Sequence, residues 1–255
     1  MSHYVDLNSD LGESFGNYTL GMDSEVLNHV TSANIACSWH AGDPLIMDAT
    51  VRICKEKGVA VGAHPGYPDL MGFGRRAMAV NPAEAKAYMI YQLGALQAFC
   101  DSHDLILQHM KLHGAFYNTA CVTPVIADAI LDGLQAVNPK IAAMVLSGSY
   151  IAQEAQRRGI PVIQEVFADR GYTEKGTLVP RTEVGAFIKD PQEALDRVLM
   201  MVTKGKVVTN TGKTIDIVAD SICVHGDNPE AIAFTKYIRE GLSKAGITVA
   251  NFQHR

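Results

Sequence analysis

Short apolar runs recur along this chain, and nearly every one ends in a polar cluster rich in histidine, carboxylate or arginine. The clusters span residues 6–13, 40–43, 64–76, 111–118, 165–181 and 225–228. Each apolar run reads as a buried strand, and each cluster as the place where that strand emerges. A parallel barrel or an open α/β sheet gathers its strand C-termini on one face and carries its chemistry there. An open doubly wound sheet concentrates polar residues at one switch point, whereas here they follow almost every strand. The pattern therefore predicts an enzyme, and favours a closed barrel of about seven or eight parallel strands over the open sheet. No linker, low-complexity tract or internal repeat divides the 255 residues, a length that suits one barrel domain over 1–255.

The periodicity places strands over 4–7, 33–37, 59–63, 106–110, 141–146, 161–166 and 221–224, with a last short one over 247–250. Helices are expected over 23–29, 44–57, 82–102, 126–137, 150–158, 191–203 and 229–245. Pro44, Pro82, Pro191 and Pro229 sit where a first helical turn tolerates a missing N–H, and Gly58 and Gly159 supply stops. Residues 207–209 and 214–217 flank an Asn-Thr-Gly-Lys turn and read as a hairpin. The glycine-rich stretch 170–181 is too long for a plain connector and reads as a lid.

Charge and cysteine usage exclude some partners. A net charge of -5 and a pI near 6.0 leave no basic stripe for a nucleic acid backbone. Five cysteines without a CxxC read as reduced thiols of a cytoplasmic protein. The N-terminus has neither a basic nor an apolar leader region, and no apolar stretch nears the roughly 20 residues that span a bilayer. Small polar ligands remain open as partners, and no nucleic acid or membrane is expected.

The clusters carry the chemistry. On a strand, Asp6, Asn8 and Asp10 share one face, which is costly unless a metal, a cation or a hydrogen-bonded substrate compensates them. Glu13 follows. His40 and Asp43 lie after the second strand, where Asp43 before Pro44 also reads as a plain helix cap. His64 leads into a glycine-rich loop ending in Arg75 and Arg76, which suit a carboxylate or phosphate, or else pair on the surface. Lys111, His113 and Tyr117 follow the fourth strand, Glu165, Asp169 and Arg170 the sixth, and His225 and Asp227 the seventh. No HExxH, GxGxxG or GxxxxGK[ST] occurs, so any ATP is not held by a P-loop.

At these segments the chain resembles a known family. Residues 6–13 (DLNSDLGE), 32–43 (SANIACSWHAGD), 62–76 (GAHPGYPDLMGFGRR), 91–99 (YQLGALQAF), 111–118 (KLHGAFYN), 165–181 (EVFADRGYTEKGTLVPR) and 223–231 (CVHGDNPEA) closely resemble the LamB/YcsF family, the A subunit of prokaryotic ATP-dependent 5-oxoprolinase. The likeness runs in order through nearly the whole chain. Two departures are Ser38-Trp39, where the family usually has Gly-Phe, and Leu112, where it usually has Pro.

The resemblance implies a distorted (β/α) barrel of about seven parallel strands, similar to the sugar-deacetylase barrels, and ATP-coupled cleavage of 5-oxo-L-proline to L-glutamate, with B and C subunits as partners and ATP, with Mg2+, as co-substrate. The expected catalytic residues are Asp10, Glu13, His40, Asp43, His64 and His113, with Asp10 foremost, as the base that activates water or as a metal ligand. The expected substrate-binding residues are Asn8, Arg75, Arg76, Lys111, Tyr117, Glu165, Arg170, His225 and Asp227. Two rival readings are a metal-dependent deacetylase-type hydrolase of a small amide or sugar, with Asp10, His40 and His64 as ligands, and a non-catalytic subunit that captures substrate.

Overall fold

The computed structural model describes residues 3–226 and 228–252. Its strands are β1 (Tyr4–Leu11), β2 (Ser32–Ala36), β3 (Ala60–His64), β4 (Leu107–Met110), β5 (Ala142–Leu146), β6 (Val162–Phe167), β7 (Lys206–Val208), β8 (Thr214–Asp216), β9 (Ser221–Cys223) and β10 (Thr248–Val249). The helices are α1 (Asp23–Val26), α2 (Pro44–Lys57), α3 (Pro82–Ser102), α4 (Gly114–Val122), α5 (Pro124–Val137), α6 (Tyr150–Arg157), α7 (Pro191–Lys204) and α8 (Pro229–Lys244). Strands β1-β2-β3-β4-β5-β6-β9 pair in parallel, and β9 returns to β1, with Asp6 opposite Ser221 and Asn8 opposite Cys223. The sheet is therefore a closed seven-stranded barrel, as the spread of polar clusters predicted. Outside it, β10 extends β1 beside Tyr4 and Val5, and β7 and β8 form the expected antiparallel hairpin.

Local chemistry explains the helix boundaries. Asp43, Asn81, Asp190 and Asn228 each accept a backbone N–H at a helix start that continues with proline, and Gly58 and Gly205 end α2 and α7 in the left-handed region. Asn81 and Glu84 complete a capping box on α3. Helix α4 is the element that sequence periodicity missed: it has no side-chain cap and begins abruptly at Gly114, whose φ of 53° turns the chain directly off β4. The helices turn apolar faces to the barrel and to each other, as α5 does with Ile126, Ile130, Leu131 and Leu134. Among the described residues no single helix is long and apolar enough to cross a membrane.

The barrel lumen is polar, and it is layered. Strand alternation sends Asp6, Asn8 and Asp10 inward while Val5, Leu7 and Leu11 join the core. In the lowest layer Asp6 accepts hydrogen bonds from the hydroxyls of Thr31, Ser32 and Ser221. Above it, Asn34 donates to Asn8 Oδ1 at 2.8 Å, and the ring of His109 reaches Asn34 Oδ1 at 2.7 Å. Gly62 must be glycine here, because a Cβ would run into the His109 imidazole. The top layer opens into a pocket.

Candidate active site

The pocket, about 500 Å³, lies at the C-terminal mouth of the barrel, with Lys111 in its floor. The Lys111 ammonium is buried and lies 2.9 Å from Asp10 Oδ1, 2.8 Å from Glu165 Oε1, 3.2 Å from Asn8 Oδ1 and 3.1 Å from Cys223 Sγ. Burial alone would pull its pKa down, but Asp10, Cys223 and Glu165 outweigh it and hold the amine charged, well above its usual range. Asp10 shows the converse balance: burial opposes ionisation, yet His64 and Lys111 keep its carboxyl well below the ordinary value. Glu165 lies fully buried beneath, its pKa raised by burial against the pull of Lys111, and it accepts a 2.8 Å hydrogen bond from Tyr117.

Beside this floor stand three imidazoles and a carboxylate. The His40 and His113 rings stack at 3.7 Å between centroids, and His64 meets both edge-on. His64 Nδ1 is 2.7 Å from the Lys111 carbonyl and His113 Nε2 is 2.7 Å from the Phe73 carbonyl. Carbonyls only accept, so those nitrogens carry the protons. Burial drives the pKa of His40 and of His113 well below the histidine norm, helped by the neighbouring His64. Glu13 is pushed up to about 7, chiefly by burial and then by the charge of Asp10. The backbone folds tightly over these rings: Gly74, at φ 62°, leaves no room for a Cβ against His40 and His113.

The rim is cationic. Arg75 lies over the Phe73 ring and Arg181 over Phe187, and neither pairs with a carboxylate among the described residues. Arg181 is exposed on the rim, and its pKa is depressed by partial desolvation of the guanidinium and by the charge of Arg75. His225 faces the pocket and pairs with Asp169 at 2.9 Å. The glycine-rich segment forms one wall. It is fastened at its base, where Arg170 donates to the carbonyls of Ala186 and Val179, and Tyr172 and Val179 are fully buried.

The structure thus gathers Asp10, Glu13, His64, His113, Arg75, Lys111, Tyr117, Arg170 and His225 around one pocket, with His40 just behind its wall. Other sequence expectations are corrected. Asp43 is no part of the site: its carboxylate caps α2 through Leu45 and Ile46 and accepts from Gly16. Arg76 points away and is spent on Asp69. Asn8 and Glu165 lie under the pocket and support Lys111 instead of meeting a substrate. Arg170 lines the pocket, but its guanidinium is used on the loop's own backbone. Asp227 lies outside the described residues.

Sequence reading missed Arg181 as a site residue because it closes a long loop, and it missed Asp23, which reaches the pocket from α1. The first family departure, Ser38-Trp39, is also visible in the fold. Ser38 adopts φ 68°, a conformation natural to glycine, and Trp39 stacks on Tyr91 and meets Tyr88 edge-on.

Fold and site together define an α/β barrel protein whose chemistry lies at the strand C-termini in a charged, histidine-walled pocket. The LamB/YcsF family model matches residues 5–255, and the chain belongs to that family. It is 61% identical to the A subunit of 5-oxoprolinase from Fusobacterium nucleatum, over 98% of this chain and 97% of that protein. The lactam utilization protein of Thermus thermophilus superposes with a TM-score of 0.92 at 44% identity, covering 98% of this chain and all of that one. A peptidoglycan N-acetylglucosamine deacetylase domain from Eubacterium rectale, 12% identical with a TM-score of 0.50 over 99% of this chain and 89% of that one, shares the fold alone.

Proposed function

We propose that this chain is the lactam-cleaving subunit of an ATP-dependent 5-oxoprolinase, opening 5-oxo-L-proline to L-glutamate together with B and C subunits. The observation that carries this reading is the pairing, in one small-molecule pocket, of a buried charged lysine in the floor with two arginines on the rim that lack a carboxylate partner among the described residues. Arg75 and Arg181 repel each other, and an anion between them relieves that repulsion. The substrate carboxylate, or a transferred phosphoryl group, fits that place. The names of the relatives support the substrate and the multi-subunit setting.

An unactivated lactam resists water at neutral pH. ATP, with Mg2+, would phosphorylate the lactam oxygen and leave ADP. Water then adds to the carbon, the ring C–N bond breaks with a proton passing to nitrogen, and a second water releases phosphate from the acyl phosphate. Lys111 is placed to stabilise negative charge as it develops on oxygen. Asp10 holds that ammonium in position. Being strongly acidic, it is a poor proton acceptor, so its part is to position Lys111 and not to act as the base.

The test is glutamate formation from 5-oxoproline and ATP, with this chain alone and with the partner subunits. Turnover is expected only with the partners and ATP. No glutamate in any combination defeats the substrate assignment, and full turnover by this chain alone defeats partner dependence.

A further inference from the structure

Four consecutive barrel strands each deliver one metal-binding side chain to the same point: Glu13 beyond β1, His40 beyond β2, His64 at the end of β3 and His113 beyond β4. One ligand atom from each lies within 4.8 Å of all the others. We propose that Glu13, His40, His64 and His113 bind a divalent transition-metal ion of the imidazole-preferring class, with Zn2+ as its representative.

The first argument is the arrangement of lone pairs. His64 Nδ1 and His113 Nε2 donate to backbone carbonyls, so the remaining nitrogens, His64 Nε2 and His113 Nδ1, present lone pairs to each other at 2.9 Å. Two neutral rings so oriented repel at that distance unless a proton or a metal ion lies between or beside them. Donation of the far ring nitrogen to a carbonyl is also how metal-bound histidines are fixed in tautomer and orientation.

The second argument is the unsatisfied atoms. His40 is fully buried, yet neither ring nitrogen has a hydrogen-bond partner, and Glu13 Oε1 is likewise unsatisfied. Burying polar groups without partners is costly, and few native groups are left so. Glu13 Oε1 stands 3.4 Å from His40 Nε2 and 3.7 Å from His113 Nδ1. Ligands about 2.0–2.1 Å from a tetrahedral Zn2+ are separated by about 3.4 Å; the two Glu13 spacings lie close to that, and the 2.9 Å approach of His64 and His113 would widen to admit the ion.

The set differs from the Asp10, His40 and His64 expected from sequence. Asp10 Oδ1 is taken by Lys111 and Asn34, leaving Oδ2 at 3.3 Å from His64 Nε2, at the margin of the cluster. Three imidazoles beside carboxylates favour Zn2+ and its neighbours over Mg2+ or Ca2+, which prefer oxygen. Such an ion would supply Lewis acidity at the pocket wall.

The proposal does not rest on the lactam assignment, because its readout is metal binding by the chain itself. Chelator-treated full-length protein titrated calorimetrically with Zn2+ should take up one ion per chain, raise its thermal midpoint, and with Co2+ develop the visible bands of a low-symmetry site. His113→Gln and Glu13→Gln should weaken binding at least about 100-fold, beyond the loss for a supporting partner. His103→Gln, on the outer surface beside Asp48, should leave it unchanged. A folded wild-type chain that binds neither Zn2+ nor Co2+ stoichiometrically overturns the proposal, as does Zn2+ binding that His113→Gln leaves intact.

Discussion

Asp6 and Asp10 are the same residue type on the same face of β1, four residues apart, and the structure uses them in opposite ways. Asp6 faces the closed end of the barrel, where the hydroxyls of Ser32 on β2, Ser221 on β9 and Thr31 just before β2 donate to it. Asp10 faces the open end, shares its charge with Lys111 and His64, and lines the cavity. The lower layer is finished within the protein, whereas the upper layer leaves ligand atoms unsatisfied and two rim cations without a carboxylate among the described residues. A buried polar group that is fully hydrogen-bonded specifies the fold, and one that is not marks where something else binds.

The largest expected effect comes from Lys111. Lys111→Met removes the ammonium shared by Asp10, Glu165 and Cys223, and stranding buried acids typically costs about 3–5 kcal/mol. Turnover in the assembled enzyme should fall by about 10³-fold or more. Because that variant is also destabilised, Lys111→Arg is its companion: it keeps the charge but misplaces it, and should fold well yet stay impaired by about 10²-fold. Near wild-type kcat in Lys111→Arg would mean that the upper layer is structural like the lower one.

Matched amide substitutions sharpen the contrast. Asp10→Asn should keep the fold and lower turnover about 10²-fold, through a mis-set Lys111 and a missing negative charge. Asp6→Asn should do the reverse, costing about 1–3 kcal/mol in denaturant unfolding, because one acceptor oxygen is exchanged for a donor among hydroxyls, with kcat/KM unchanged. Equal kinetic losses in the two variants would erase the distinction between the layers.

Much of this was legible in the sequence. Alternation in DLNSDL placed three polar side chains on one face, and the cap-plus-proline starts fixed α2, α3, α7 and α8 to within a residue or so. The polar cluster after each strand located the mouth. What could not be read was the assignment of individual groups, because that depends on neighbours distant in sequence. Arg75 and Arg76 are adjacent, yet one faces the pocket and the other meets Asp69. Asp43 serves the cap that its place before Pro44 suggested, and nothing in its own segment showed that it would serve only that. His40 and His113 are 73 positions apart by number, and only barrel closure stacks them.

The smallest expected effect is at the rim, where His225 and Asp169 pair at 2.9 Å with His225 about a third exposed. Burial opposes the imidazolium, but Asp169 overrides it and raises the His225 pKa above 6.5. Burial likewise opposes ionisation of Asp169, and His225 overrides it, holding that carboxyl below 3.8. The histidine share of the stabilisation is therefore complete below 6.5 and is lost as pH rises through the raised folded value. The carboxylate share is complete above 3.8 and is lost as pH falls through the depressed one. The pair is strongest between those limits. In Asp169→Asn the free energy of unfolding should trail wild type most at about pH 5.5, and the gap should narrow by about 0.5–1 kcal/mol toward about pH 8.5. A gap that stays constant over that range, or widens with pH, would show that the pair is not ionised as the geometry requires.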